Sequence, residues 1–154
     1  MPGVAVNIRR ATIKDVDELV QLRCELWRAV QEPEPTPDLT EATRRFFETR
    51  LGRDDFVTLV ADVGDEIVAV GTVHLFERLP YAGNPSGREF YLLNLYTRPK
   101  YRRQGYAAEL IRRFQDIARQ RGARRIWLHA SDAGRSVYER AGFTSKEGEM
   151  EYKW

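Results

Sequence analysis

The sequence predicts an α/β fold, a single layer of mixed β-sheet flanked by helices on both faces. Three observations carry this. Short β-rich apolar runs alternate with segments of helical period, in the order β α α β β β α β α β. One run, Phe90 to Thr97, is strongly apolar and reads as a buried strand with Asn94 as its one polar interruption. It leads through a basic, glycine-bearing turn into the clearest helix, Tyr106 to Arg121. There Ala107, Leu110, Ile111, Phe114, Ile117 and Ala118 share one face.

In chain order, Val4 to Arg9 alternates Val4, Val6 and Ile8 and predicts a short strand. Thr12 is an N-cap residue, with Asp15 three positions on. Val16, Leu19, Val20, Trp27 and Val30 then follow at helical spacing, and the helix stops before Pro33. Gln31 to Asp38 contains three prolines and predicts a loop. Thr36-Pro37 opens a second helix, with Phe46, Phe47 and Leu51 on its apolar side and Gly52 at its end. Phe56 to Ala61 and Glu66 to Phe76 form a hairpin about Gly64-Asp65. Glu77 to Gly87 is a Pro/Gly loop. After the long helix and Gly122 come a strand from Arg125 to Ala130 and a short helix from Arg135 to Arg140, stopped by Gly142. Phe143 and the tail Glu149 to Trp154 supply the last strand material.

Length and composition bound the function. With 154 residues, 42% of them hydrophobic and 31% charged, the chain reads as one domain over 1–154. A net charge of +2 makes no strong case for a nucleic-acid or membrane partner. The single cysteine, Cys24, excludes an intrachain disulfide and suits a reducing compartment. The start lacks a signal-peptide pattern and no apolar run approaches membrane-spanning length, so a cytoplasmic location is expected. His74 and His129 show no metal-ligand spacing, and no metal is expected.

The segment Thr97-Arg98-Pro99-Lys100-Tyr101-Arg102-Arg103-Gln104-Gly105-Tyr106-Ala107 carries the chemistry. A helix start has N–H groups without partners, and its dipole favours an anion. Gly105 lets the backbone approach a ligand, and Arg102 and Arg103 add positive charge. These features predict a phosphate or pyrophosphate site; a capped helix behind a solvated basic loop is the plainer alternative. No Gly-Lys-Ser/Thr follows, as a P-loop requires, and the three spaced glycines of a dinucleotide fingerprint are missing.

At these residues the sequence resembles the GNAT superfamily of N-acetyltransferases. Arg102, Gly105 and Ala107 match its Arg/Gln-x-x-Gly-x-Gly/Ala signature, and Leu95, Thr97 and Pro99 match its lead-in. Arg9 to Leu19 is similar to its opening strand and helix. Val137-Tyr138-Glu139-Arg140-Ala141-Gly142-Phe143 is similar to its closing segment. The resemblance runs in order over nearly the whole chain.

The resemblance implies a mixed central sheet whose two central parallel strands splay apart, here Phe90 to Thr97 and Arg125 to Ala130. It implies acetyl-CoA as donor. Backbone N–H groups of Gln104, Gly105, Tyr106 and Ala107, with Arg102 and Arg103, would hold the pyrophosphate. The backbone of Leu95 and Thr97 would pair with the pantetheine arm, and an N–H near Leu95 would polarise the thioester carbonyl. Ser131 stands where the family often has an asparagine touching the coenzyme. Tyr138 matches the tyrosine that protonates the departing sulfur, and its place after the Arg125 strand lets it reach that edge of the sheet.

The base is open. Glu77 is the first choice, at a strand end near the mouth of the pocket; Glu89, Glu25, His74 and water are alternatives. The acceptor is expected to be a small-molecule amine, with Trp27, Phe76, Tyr81, Tyr91 and Tyr96 available to line its pocket or simply to fill the core. A protein N-terminus or lysine is the alternative. A coenzyme-binding sensor and a nucleic-acid binder using Arg98 to Arg103 are competing classes. The tail from Met150 to Trp154, with Tyr152 and Trp154, is expected to pack across the axis of a homodimer.

Overall fold

The computed structural model of the chain describes residues 6–30 and 33–154. At its centre is a five-stranded sheet in which spatial order follows chain order. Strands β1 (Asn7–Arg10), β2 (Phe56–Val63), β3 (Glu66–Glu77) and β4 (Arg88–Thr97) pair antiparallel in succession. Strand β5 (Arg125–Trp127) then joins β4 in parallel. Helices α1 (Val16–Ala29) and α2 (Pro37–Arg50) cover one face. Helices α3 (Tyr106–Gln120) and α4 (Arg135–Arg140) cover the other.

Because both faces are covered, β2 and β3 are buried along most of their length rather than on alternate residues. Alternation instead divides their side chains between two cores. Val57, Leu59 and Ala61 join Phe90, Leu92 and the α3 residues Leu110, Ile111 and Phe114. Phe56, Val60, Ile67 and Val70 join Leu19 and Leu22 of α1 and Phe47 of α2. Each large apolar side chain removed from water contributes about 1.5–3 kcal/mol before entropy is counted.

The helix starts follow their local chemistry. Thr36 Oγ1 accepts from the Leu39 N–H at 3.1 Å, with Pro37 in the first turn. A 3-10 turn, Ile13–Asp15, precedes α1, and the Asp15 carboxylate accepts from the Thr12 N–H at 2.7 Å. Arg9 clamps this corner, reaching Asp15 at 2.9 Å and Asp62 at 2.6 Å.

Two sequence expectations need correction. The strand expected from Arg125 to Ala130 ends at Trp127, because residues 128–130 lie beyond the point where β4 stops running beside it. Phe143 and residues 149–154, expected as the last strand, form none. A three-residue edge strand offers little ladder, and Met150, Tyr152 and Trp154 are exposed. Phe143 packs its ring edge-on against Tyr138, 5.8 Å between centroids. The first strand begins at Asn7; Val4, and with it Gln31 and Glu32 of the proline loop, lies outside the described residues.

Candidate active site

The site is set by a parting of strands. β4 and β5 pair only at Glu89↔Arg125, Phe90↔Ile126 and Tyr91↔Trp127. β4 continues to Thr97, so among the described residues its β5-facing edge has no strand partner beyond Tyr91. A β-bulge lies within this stretch: β3 pairs Thr72 with Leu93 and Val70 with Tyr96, leaving Gly71 opposite both Asn94 and Leu95. Asn94 takes a left-handed conformation, φ 59°, and is 8% exposed. The bulge carries the Leu95 side chain to the α3 core, and the Asn94 carboxamide accepts from Arg23 Nη1 of α1 at 3.4 Å.

Beyond Thr97 a 3-10 turn, Pro99–Tyr101, leads to Arg103 and Gly105, both left-handed at φ 62° and 91°. A side chain at φ 91° is strained, so Gly105 is the residue that fits there. Successive reversals of this kind point neighbouring N–H groups into one concavity. No side chain caps α3, so the N–H groups of its first turn remain available to a ligand. Arg102 and Arg103 are exposed beside it; Arg102 Nε donates to the Thr97 carbonyl at 3.0 Å, and Gln104 donates to the Lys100 carbonyl at 3.4 Å. Arg98 is used otherwise. It pairs with Glu66 at 2.8 Å, Glu25 at 3.2 Å and Glu18 at 3.6 Å, fastening α1 to the end of β4. The Tyr106 side chain is core, 2% exposed, so that residue offers the site only its backbone, as does Ala107 with its bare methyl group.

Tyr138 lies on α4 against the α3 core. Burial pushes its phenol above the usual value, and nearby Tyr91 adds to this. It therefore stays protonated and able to donate at neutral pH. Ser131 is turned to its own helix: its hydroxyl accepts from the Gly134 N–H at 3.2 Å.

The carboxylates named from sequence are each engaged by an arginine. Glu77 ends β3 opposite Arg88, exposed and 3.6 Å from its guanidinium. Glu89 is fully buried; it accepts from Tyr81 at 2.5 Å and pairs with Arg125 at 3.3 Å and Arg78 at 3.4 Å. These partners outweigh burial and hold its carboxyl below the usual range. Glu25 is engaged by Arg98. His74 sits among the rings of Phe46 and Phe56, where burial, then Arg50, lowers its pKa.

Trp127, His129 and Glu149, which the sequence reading missed, gather at the parting point with Tyr91 and Phe76, which it named for the acceptor pocket. Tyr91 stacks at a tilt on Trp127, 4.6 Å between centroids, and Trp127 meets Phe76 edge-on at 6.1 Å. Tyr91 Oη is 2.7 Å from His129 Nδ1, and His129 Nε2 is 2.8 Å from a Glu149 carboxylate oxygen. Arg23 lies over the Trp27 ring at 5.0 Å, so Trp27 faces this region through the arginine. Tyr96 is buried in the α1 core and Tyr81 is tied to Glu89. Alternation puts Trp127 and His129 on one side of their segment; which residues of β4 they meet is a matter of register. An open hollow between β1 and α3, lined by Arg9, Arg10, Arg112 and Arg113, lies apart from this cleft.

Among the described residues there is no cluster of His, Cys, Asp or Glu able to hold a metal, and no helix long and apolar enough to cross a membrane. A strand edge left unpaired above an uncapped helix start fits a ligand with an extended amide arm and a phosphate end. The family model for the acetyltransferase (GNAT) family matches residues 17–143. The chain belongs to the GNAT family of acetyltransferases. A predicted acetyltransferase from Clostridium acetobutylicum, solved with acetyl-CoA, superposes with a TM-score of 0.88 at 30% identity, over 96% of each chain. A GCN5-related N-acetyltransferase from Ralstonia eutropha JMP134 gives 0.87 at 22% identity, over 97% of this chain and 99% of that one. Glucosamine-6-phosphate N-acetyltransferase from Arabidopsis thaliana gives 0.75 at 20%, over 98% and 99%. No curated protein matches the sequence.

Proposed function

We propose that this protein transfers the acetyl group of acetyl-CoA to the primary amine of a small molecule, by direct attack within a ternary complex. The observation that carries the reading is the free edge of β4 leading into the Arg103–Gly105 turn. That edge can pair with the amides of a pantetheine arm, while the N–H groups of Gln104, Gly105, Tyr106 and Ala107, with Arg102 and Arg103, hold the pyrophosphate. Leu95 has no register partner in β3 at the bulge, which supports its N–H as the donor that polarises the thioester carbonyl. Tyr138 donates a proton to the leaving sulfur. Acetyl-CoA supplies the activated acyl group, and no covalent enzyme intermediate is needed. The aromatic lining of Phe76, Tyr91 and Trp127 supports an organic amine of modest size as acceptor.

The test is free-thiol release from acetyl-CoA with a panel of 2-phenylethylamine, spermidine, lysine and a Met-Leu dipeptide, alongside calorimetry of coenzyme binding. Turnover with a small amine is expected. Tight coenzyme binding without turnover would mark a sensor, and turnover with the dipeptide alone would mark a peptide N-acetyltransferase. The exposed Met150, Tyr152 and Trp154 support a homodimer closed through the tail. Light scattering should then give about twice the 17.9 kDa chain mass; the monomer mass at micromolar concentration would defeat it.

A further inference from the structure

We propose that Tyr91, His129 and Glu149 form a proton relay that accepts the proton of the attacking amine, with Tyr91 as the group that touches it. The inference rests on the transferase reading above and identifies its base.

The direction of the relay follows from its donors. A Glu149 carboxylate oxygen stands 2.8 Å from His129 Nε2, a contact that favours the hydrogen of the neutral ring on Nε2 rather than Nδ1. Neutral His129 then presents a lone pair at Nδ1, and the Tyr91 hydroxyl, 2.7 Å away, donates to it. When the amine attacks, the C–N bond forms as its proton passes to the Tyr91 oxygen. The Tyr91 proton moves to His129 Nδ1, and the imidazolium is held by Glu149. The C–S bond breaks, and the sulfur keeps the electron pair and takes a proton from Tyr138. Half of the His129 side chain is exposed, so its proton returns to solvent, which reprotonates Tyr138.

Position supports the assignment. Tyr91 is the last β4 residue paired with β5, so its side chain stands where the cleft opens. It lies directly across from His74, whose ring rests on Phe46 and Phe56, and so faces α1 and α2. Tyr138 packs with the α3 core on the other face. Tyr91 and Tyr138 thus belong to different faces of the sheet, and amine and sulfur, as separate substituents of the tetrahedral carbon, can be served by two different groups. Beside Tyr91, Trp127 Nε1 is buried without a hydrogen-bond partner among the described residues. The groups facing the relay are Glu149 from the tail, Arg23 from α1, Tyr138 from α4, His74 across the β3–β4 ladder and Arg125 over the Trp127 ring. Burial, then Glu149, raises the Tyr91 phenol against the lowering effect of Arg23, so it stays protonated and passes a proton on rather than acting as a standing anion.

The test compares wild type with Tyr91→Phe, His129→Gln, His129→Ala and Glu149→Gln on the same amine panel, from pH 6 to 10. Tyr91→Phe and His129→Gln should each lower kcat about a hundredfold and alter the pH profile of kcat/KM, with coenzyme affinity unchanged. Combining them should cost less than about threefold more, because the two act as a unit. Added imidazole should restore part of the His129→Ala rate, and Glu149→Gln should fall between wild type and the other variants. Wild-type turnover with Tyr91→Phe and His129→Gln at the wild-type rate and pH profile overturns the relay alone. Coenzyme binding without thiol release from any amine overturns the transferase reading, and the relay with it.

Discussion

Gly71 of β3 stands against the ring of Phe114 of α3, with only 2.8 Å between Phe114 Cε2 and the place a β-carbon on Gly71 would occupy. Leu95 Cδ1 is 3.1 Å from the same point. Gly71 therefore lets the core close over the bulge that opens the cleft. Gly71→Ala is expected to destabilise the fold by about 1–3 kcal/mol, since Phe114 and Leu95 must both shift. Urea unfolding measures this; an unchanged midpoint would show that the core absorbs the methyl group elsewhere.

The proposed coenzyme turn can be tested without disturbing the core. A β-carbon at Gly105 meets nothing within 4 Å, so a larger residue there acts through the backbone at φ 91° and through the space a ligand would fill. Gly105→Val should weaken acetyl-CoA binding tenfold or more by calorimetry. Equal affinity in a folded variant would remove the turn from the coenzyme site.

Tyr138→Phe separates acid catalysis from packing. The ring contact with Phe143 survives the change, so stability and coenzyme affinity should hold. The rate should fall by roughly tenfold to a few hundredfold. Because burial raises the phenol above its usual value, the deficit should be uniform from pH 6 to 9. A kcat equal to wild type across that window, with chemistry rate-limiting, would exclude Tyr138 as the acid.

Glu109, in the first turn of α3, reports on acid stability. Arg112 at 2.5 Å and Arg113 at 3.1 Å lower its pKa to about 2, Arg112 contributing most. A folded-state pKa below the unfolded one, about 4.3, contributes stability above pH 4.3 that is lost as pH falls towards 2. Glu109→Gln should be less stable than wild type at neutral pH, and the two should converge near pH 2. A gap in urea midpoint that stays constant from pH 6 to pH 2 would contradict this.

Most of the architecture was legible in the sequence, because the signals are local. Periodicity placed α3, Thr36-Pro37 opened α2, and Gly105 marked the turn. Each depends on a few neighbouring residues and on backbone geometry that every chain shares. The proposed anion site was legible for the same reason, since a strand, a glycine turn and a helix start are contiguous. The proposed base was not. His129 meets Tyr91 across 38 positions, through a parallel register that α3 imposes by packing on the sheet. Alternation says that Trp127 and His129 share a face, yet a shift of one residue would turn that face away from Tyr91. Where β4 and β5 part, and that Glu149 reaches His129 from the tail, likewise depend on how the two cores fill. The sequence by itself determined most of the elements and the glycine turn before α3. Only the tertiary structure decided which side chains meet at the cleft, because contact between distant segments is settled by packing, and no local pattern encodes it.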